Sequence, residues 1–158
     1  MKKLLIVSLF LVATTSCNKK DDNNNNNCPD VTTTAPASEV ATLRTYIQAN
    51  NIIAAEDPRG FFYTIDAPGS GSKPTACSGV TVNYVGKLTD GTTFDSGNNV
   101  TFSLGGLIIG WQEGIPLIAP GGSITLYLPP SLAYGSRATG GIPANSNLIF
   151  KIDLKAVF

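Results

Sequence analysis

The sequence predicts an α+β domain in which five or six antiparallel strands lay their apolar face on one short helix. From residue 61 onward apolar residues recur with a period of two, in short runs separated by turns, and the chain carries 16 glycines and 10 prolines. Among those runs Ile108, Trp111 and Ile115 recur at i, i+3 and i+7 around the one tryptophan of the sequence. That spacing places them on one face of a helix. Pro116 ends the helix within about two turns, because proline lacks the amide donor and clashes with the preceding turn. Taken alone, Trp111 reads as core filler for a small sheet. The aromatics of the flanking strands make it a candidate for more.

Taken in order, the chain opens on Lys2 and Lys3, an apolar run over residues 4–13, and the small residues Thr14, Thr15 and Ser16. The run is too short to span a bilayer and fits a secretory signal over residues 1–16. Cys17, directly after it, resembles the lipobox cysteine of bacterial lipoproteins, with Thr14 standing where an aliphatic residue is usual. The resemblance implies cleavage before Cys17 and its lipidation; ordinary cleavage leaving a plain thiol is the alternative. Residues 17–36 read as a tether, since Lys19-Lys20-Asp21-Asp22 and the asparagines at 23–27 cannot bury apolar area. About 20 residues of flexible coil reach roughly 25 Å, enough to hold a domain clear of headgroups. Lys20-Asp21-Asp22 also looks like the charged surface-export signal of some envelope lipoproteins.

Two further cysteines, Cys28 and Cys77, suggest a disulfide in an oxidising envelope. Closing a loop of about 50 residues contributes at most roughly 4 kcal/mol. No second pair of ligands accompanies them, so no metal site is expected. Acidic and basic residues balance at 11 each, and no basic stripe is present, which argues against nucleic acid as a partner. The absence of histidine excludes His-based triads and general bases.

Residues 37–60 read as a helical extension. Ser38 is placed to cap a helix over residues 38–50, Glu39 favours the positive end of its dipole, and Val40, Leu43 and Ile47 form a narrow apolar stripe. Such a helix packs beside a domain; binding a partner protein is the rival reading. Strands follow at residues 61–65, 80–88, 92–96, 100–104, 123–128 and 148–157, with Asp90-Gly91 as a hairpin signal. In the last run Leu148, Phe150, Ile152 and Leu154 share one face, opposite Lys151, Asp153 and Lys155.

The runs Val82-Asn83-Tyr84-Val85-Gly86, Gly91-Thr92-Thr93-Phe94-Asp95-Ser96, Ile109-Gly110-Trp111-Gln112-Glu113-Gly114 and Leu132-Ala133-Tyr134-Gly135, followed by Ile142-Pro143 and Leu148-Ile149-Phe150, resemble the FKBP-type peptidyl-prolyl cis-trans isomerases. The motifs occur in the family's order over residues 77–158, within a domain placed at 61–158. Residues 38–65 look like the N-terminal extension of bacterial envelope lipoprotein members. The resemblance implies a twisted half-barrel sheet wrapped on the short helix, with an aromatic cup between them. It implies Trp111 as the floor, Tyr84, Phe94, Phe102 and Phe150 as walls, and Leu107 and Ile108 at the rim, with the Ile108 N–H offered to a substrate carbonyl. Tyr134 reaches over the cup and Asp95 is the charge at its edge; Tyr84, Asp95 and Tyr134 are the catalytic candidates.

The residue types suit the chemistry independently of the family. An X-Pro bond is a tertiary amide whose isomers differ little in energy but exchange over tens to hundreds of seconds. The barrier comes from amide resonance, which separates charge onto nitrogen and oxygen. A dry apolar pocket disfavours that polar planar form relative to the twisted one. No nucleophile, metal or cofactor is needed. The partners implied are proline-containing exported proteins, with macrolides such as tacrolimus or rapamycin as inhibitors and a lipid-anchored monomer at the outer membrane of the cell envelope. In one departure from the family, the segment after Asp95 carries no arginine to pair with it, leaving Tyr134 or Arg137 as partner. An inactive cup that only holds proline segments, and an unrelated envelope β-domain, are the competing readings.

Overall fold

The structure, a computed structural model, describes residues 31–158. The signal, Cys17 and Cys28 lie outside the described residues.

Helix α1 spans Ala37–Ala49 and buries Val40, Leu43 and Ile47, the stripe the sequence predicts. These side chains join Phe61, Phe62 and the sheet residues in one core cluster, so the apolar face of the helix is part of the domain's core. Ser38, expected as the cap, does not cap the helix, which opens on Pro36, at φ −57° and ψ 142°, without a side-chain cap. The Pro36 carbonyl accepts the N–H groups of Glu39 and Val40 at 3.0 and 3.2 Å. Proline's restricted φ suits that position, and Ser38 falls inside the first turn. Packing also reaches into the stretch read as tether, since Ala35 is buried and donates its N–H to the Arg59 carbonyl at 2.8 Å.

Six strands form one antiparallel sheet: β1 (Ala55–Glu56), β2 (Phe62–Ala67), β3 (Gly79–Leu88), β4 (Thr93–Ser103), β5 (Ser123–Leu128) and β6 (Leu148–Val157), in the spatial order β1-β2-β5-β6-β3-β4. Strand β6 pairs with both β5 and β3, setting Phe150 opposite Leu126 on one side and Gly86 on the other. Its alternate residues Leu148, Phe150, Ile152 and Leu154 are all buried, as their period of two requires. Residues 92–96 and 100–104, expected as two strands, are joined in the single strand β4. The Gly97-Asn98-Asn99 stretch looks like a turn in sequence, but Gly97 pairs with Tyr84 across a register shift. There Asn99 takes φ +52°, and its N–H donates to the Asn83 side-chain oxygen at 2.8 Å. A bulge absorbs the turn residues without ending the pairing.

Helix α2 spans Ile109–Gly114 and continues as a 3-10 turn, Ile115–Leu117, that contains Pro116. Trp111 and Ile115 point inward as expected. Ile108 does not share their helical face: it precedes the helix in extended conformation, φ −60° and ψ 148°. A Cβ at Gly110 would come within 2.4 Å of Leu128, and one at Gly114 within 2.6 Å of Leu126. These two glycines, one turn apart, let α2 lie directly on β5. On its other side Glu113 pairs with Arg59, which also holds the buried Asp57 at 2.8 Å. Burial pushes the Asp57 carboxyl up, but Arg59's hydrogen bonds and charge outweigh it and leave the group below its ordinary range.

Candidate active site

Between α2 and the concave side of β3, β4 and β6 lies a hollow of ≈ 130 Å³, lined by Tyr84, Asp95, Phe102, Leu107, Ile108, Trp111, Tyr134 and Phe150. Trp111 is its floor. Three rings meet the indole edge to face, Tyr84 at 5.2 Å, Phe150 at 5.3 Å and Phe102 at 6.0 Å between centroids, the arrangement that matches ring edges to ring faces. The indole is 4 % exposed, and its buried Nε1–H has no hydrogen-bond partner among the described residues.

Register explains how residues far apart in sequence share one hollow. Gly86 faces Asp95 across β3 and β4, and Phe150 across β3 and β6. A Cβ at Gly86 would lie 2.6 Å from Phe94 and 2.8 Å from Phe150, so the missing side chain makes room for their crossed rings at 5.5 Å. Phe94 thereby backs the Phe150 wall and does not face the hollow itself. It lines an adjoining groove with Thr139, Gly140 and Ile142, and that groove shares Asp95 and Tyr134 with the hollow.

The polar lip differs from expectation in its pairing. Tyr84 Oη donates to Asp95 Oδ2 at 2.8 Å, and Asp95 Oδ1 accepts the Ser96 N–H at 2.8 Å. The expected partners, Tyr134 and Arg137, give way to Tyr84 because the β3–β4 pairing brings that phenol to the carboxylate. Burial, and then the Asp95 hydrogen bond and charge, push the Tyr84 phenol up to about 12. Tyr134, on the opposite lip and 41 % exposed, is raised by burial and then by the Asp95 charge.

The rim is held from below. Gln112 Nε2 donates to the Leu107 carbonyl at 2.7 Å, fixing the segment that carries Leu107 and Ile108. The Ile108 carbonyl accepts the first amides of α2, from Trp111 at 2.9 Å and Gln112 at 3.2 Å. Its own N–H has no acceptor among the described residues, which leaves a donor at the rim beside the aromatic walls. Sequence reasoning misses Gln112, whose side chain signals nothing until the turn before α2 has a shape. Among the described residues no cluster of ligating side chains could hold a metal ion. Cys77, in the turn before β3, is disulfide-bonded.

Fold and hollow together define a class: an open antiparallel sheet wrapped on a short helix, enclosing an aromatic cup with one acid at its lip. Residues 70–155 match the family described as FKBP-type peptidyl-prolyl cis-trans isomerase, and the chain belongs to that family. It is 44% identical over 102 residues to the FKBP-type peptidyl-prolyl cis-trans isomerase FkpA of Aeromonas hydrophila, covering 62% of this chain and 38% of that one. Over 105 residues it is 44% identical to the outer membrane protein MIP of Legionella longbeachae, covering 63% and 45%. The crystal structure of FkpA from Escherichia coli matches with a TM-score of 0.69 at 37% sequence identity, covering 77% of this chain and 60% of that one. The chain thus spans less than half the length of these curated relatives.

Proposed function

We propose that this protein is a peptidyl-prolyl cis-trans isomerase acting on X-Pro bonds of exported proteins. The observation that carries the reading is the aromatic cup floored by Trp111, with a donor at Ile108 and a carboxylate at Asp95 on its rim. The proline ring enters over the indole, bounded by Tyr84, Phe102 and Phe150. The Ile108 N–H takes the carbonyl on the far side of the ring, which fixes the peptide while the prolyl amide turns. Inside the cup the amide loses the water that favours its charge-separated planar form, and resonance is broken at lower cost. Asp95, held by Tyr84, sets a negative charge beside the rotating group, and Tyr134 closes over it. Acceleration comes from holding the twisted amide better than either planar isomer; no covalent intermediate forms.

The deciding experiment is a protease-coupled isomerisation assay on a short Leu-Pro or Phe-Pro peptide. The expected result is turnover that tacrolimus or rapamycin inhibits. Binding of the macrolide without turnover would replace the enzyme with a module that only holds proline segments.

The same reading places the isomerase at residues 61–158, with 37–60 as its extension, as a monomer in the cell envelope. A lipid on Cys17 would hold it at the outer membrane, and the relative named as an outer membrane protein supports that address. Labelling with a palmitate analogue should mark the wild type and not Cys17→Ala; an unlabelled wild type would end the lipoprotein reading. The disulfide at Cys77 supports a bond to Cys28, which a linked peptide pair in non-reducing mass spectrometry would verify.

A further inference from the structure

Helix α1 takes no part in the chemistry above, yet one of its side chains reaches the loop that carries Tyr134. Glu39 Oε2 accepts the Ser131 N–H at 2.9 Å, across 92 positions of sequence. Pro129 and Pro130 have no amide hydrogen, so Ser131 supplies the first backbone donor after β5 ends, and Glu39 takes it. The Ser131 hydroxyl is buried with no partner among the described residues, so the side chain adds no second tie.

From that point backbone bonds lead to the cup. Within the 3-10 turn Pro130–Leu132, the Pro130 carbonyl accepts the N–H of Ala133 at 2.9 Å and of Gly135 at 2.8 Å. These donors flank Tyr134 on both sides. The position of the phenol over the cup is therefore referred to Pro130, and the turn that begins there is fastened to α1 by the neighbouring residue. A carboxylate on an amide is among the stronger hydrogen bonds available to such a loop.

We propose that Glu39 is a positioning residue of the cup, holding the Pro130–Leu132 turn from helix α1 and so setting where Tyr134 stands over the substrate. The inference rests on the isomerase reading for its kinetic consequence, while its structural part is measurable without substrate. In the whole chain, Glu39→Ala should raise KM for a Leu-Pro peptide about three- to tenfold, the size of one lost hydrogen bond, with kcat changed less than about twofold. Glu39→Gln keeps an acceptor and should restore KM to near the wild-type value. In a Tyr134→Ala background, Glu39→Ala should add nothing, because the group it positions is gone. Without substrate, amide hydrogen exchange over residues 131–135 should speed up in Glu39→Ala and not in Glu39→Gln. Should alanine unfold the chain, Glu39→Asp keeps the charge but withdraws the oxygen by one carbon, and serves in its place. Unchanged exchange in the loop, or an undiminished rise in KM in the Tyr134→Ala background, would overturn the proposal. A wild-type chain inactive on every prolyl peptide would overturn its kinetic part together with the isomerase reading, while the exchange comparison still decides whether Glu39 holds the loop.

Discussion

Trp111 and Asp95 line the same hollow, yet the indole is enclosed by the edges of three other rings while the carboxylate stands exposed, held by one phenol and one amide. The floor belongs to the core that makes the domain fold. The lip is attached to that core through Tyr84 and can be altered with the core intact. A change at the floor is therefore felt first as lost stability, and a change at the lip first as lost turnover.

The largest test of this contrast is Trp111→Ala, which should cost about 3–5 kcal/mol in urea unfolding because the cavity it leaves cannot close. Trp111→Leu keeps more volume and separates the ring's role in binding from its role in folding. Leu43→Ala, on α1 and fully buried, should cost about 2–5 kcal/mol, placing the extension on the floor's side of the division. Asp95→Ala should cost under about 1 kcal/mol of stability, since the phenol it abandons is only half-buried. Its turnover should fall about ten- to a hundredfold if the charge acts on the twisted amide. Tyr84→Phe should lose only a few-fold, about one neutral hydrogen bond. If Asp95→Ala and Trp111→Leu both turn over at the wild-type rate, the hollow is not the site.

The smallest effects are those of pH. Tyr84 is raised from 10.0 to about 12, so the native state holds its proton more tightly than the unfolded chain. Its contribution to stability is complete below pH 10 and is lost as pH rises toward 12. Turnover should consequently show no phenol titration between about pH 6 and 9. Asp57 has the opposite sign: held below its ordinary range by Arg59, it contributes stability above that range and loses it as pH falls through its folded value. Arg59→Ala should move the acid unfolding midpoint upward.

The periodic parts of this chain were legible before any coordinates. The stripe of α1, the alternation of β6 and the shared inward face of Trp111 and Ile115 follow from residue spacing, because a single buried face dictates each. Ile108, spaced as a third member of that face, stands outside the helix. What sequence could not supply were relations set by neighbours. Gly97-Asn98-Asn99 has the composition of a turn, but pairing of Gly97 with Tyr84 and the Asn83 side chain on the adjacent strand keep the segment in the sheet. Sequence points Asp95 to partners in the loop after Pro130, whereas strand register delivers Tyr84. The bond from Glu39 to Ser131 has no sequence signal: it joins an ordinary first-turn acid to an amide made prominent by two prolines. Phe94, expected as a wall of the cup, stands behind Phe150, because Gly86 leaves room for the two crossed rings.

The sheet order has a practical consequence for anyone cutting this chain. The family match begins at residue 70, and a fragment starting there would lack β1 and β2. In the whole chain β2 covers one side of β5; without it, the Ser123–Leu128 backbone would offer its amides and carbonyls to any extended segment nearby. Tyr127, Leu126 and Ile124 would lose the side chains set opposite them, Phe62, Tyr63 and Ile65, as well. Such an edge is a template for self-association. The stretch matched to the family description is thus shorter than the sheet it belongs to, and expression boundaries belong upstream of Ala35.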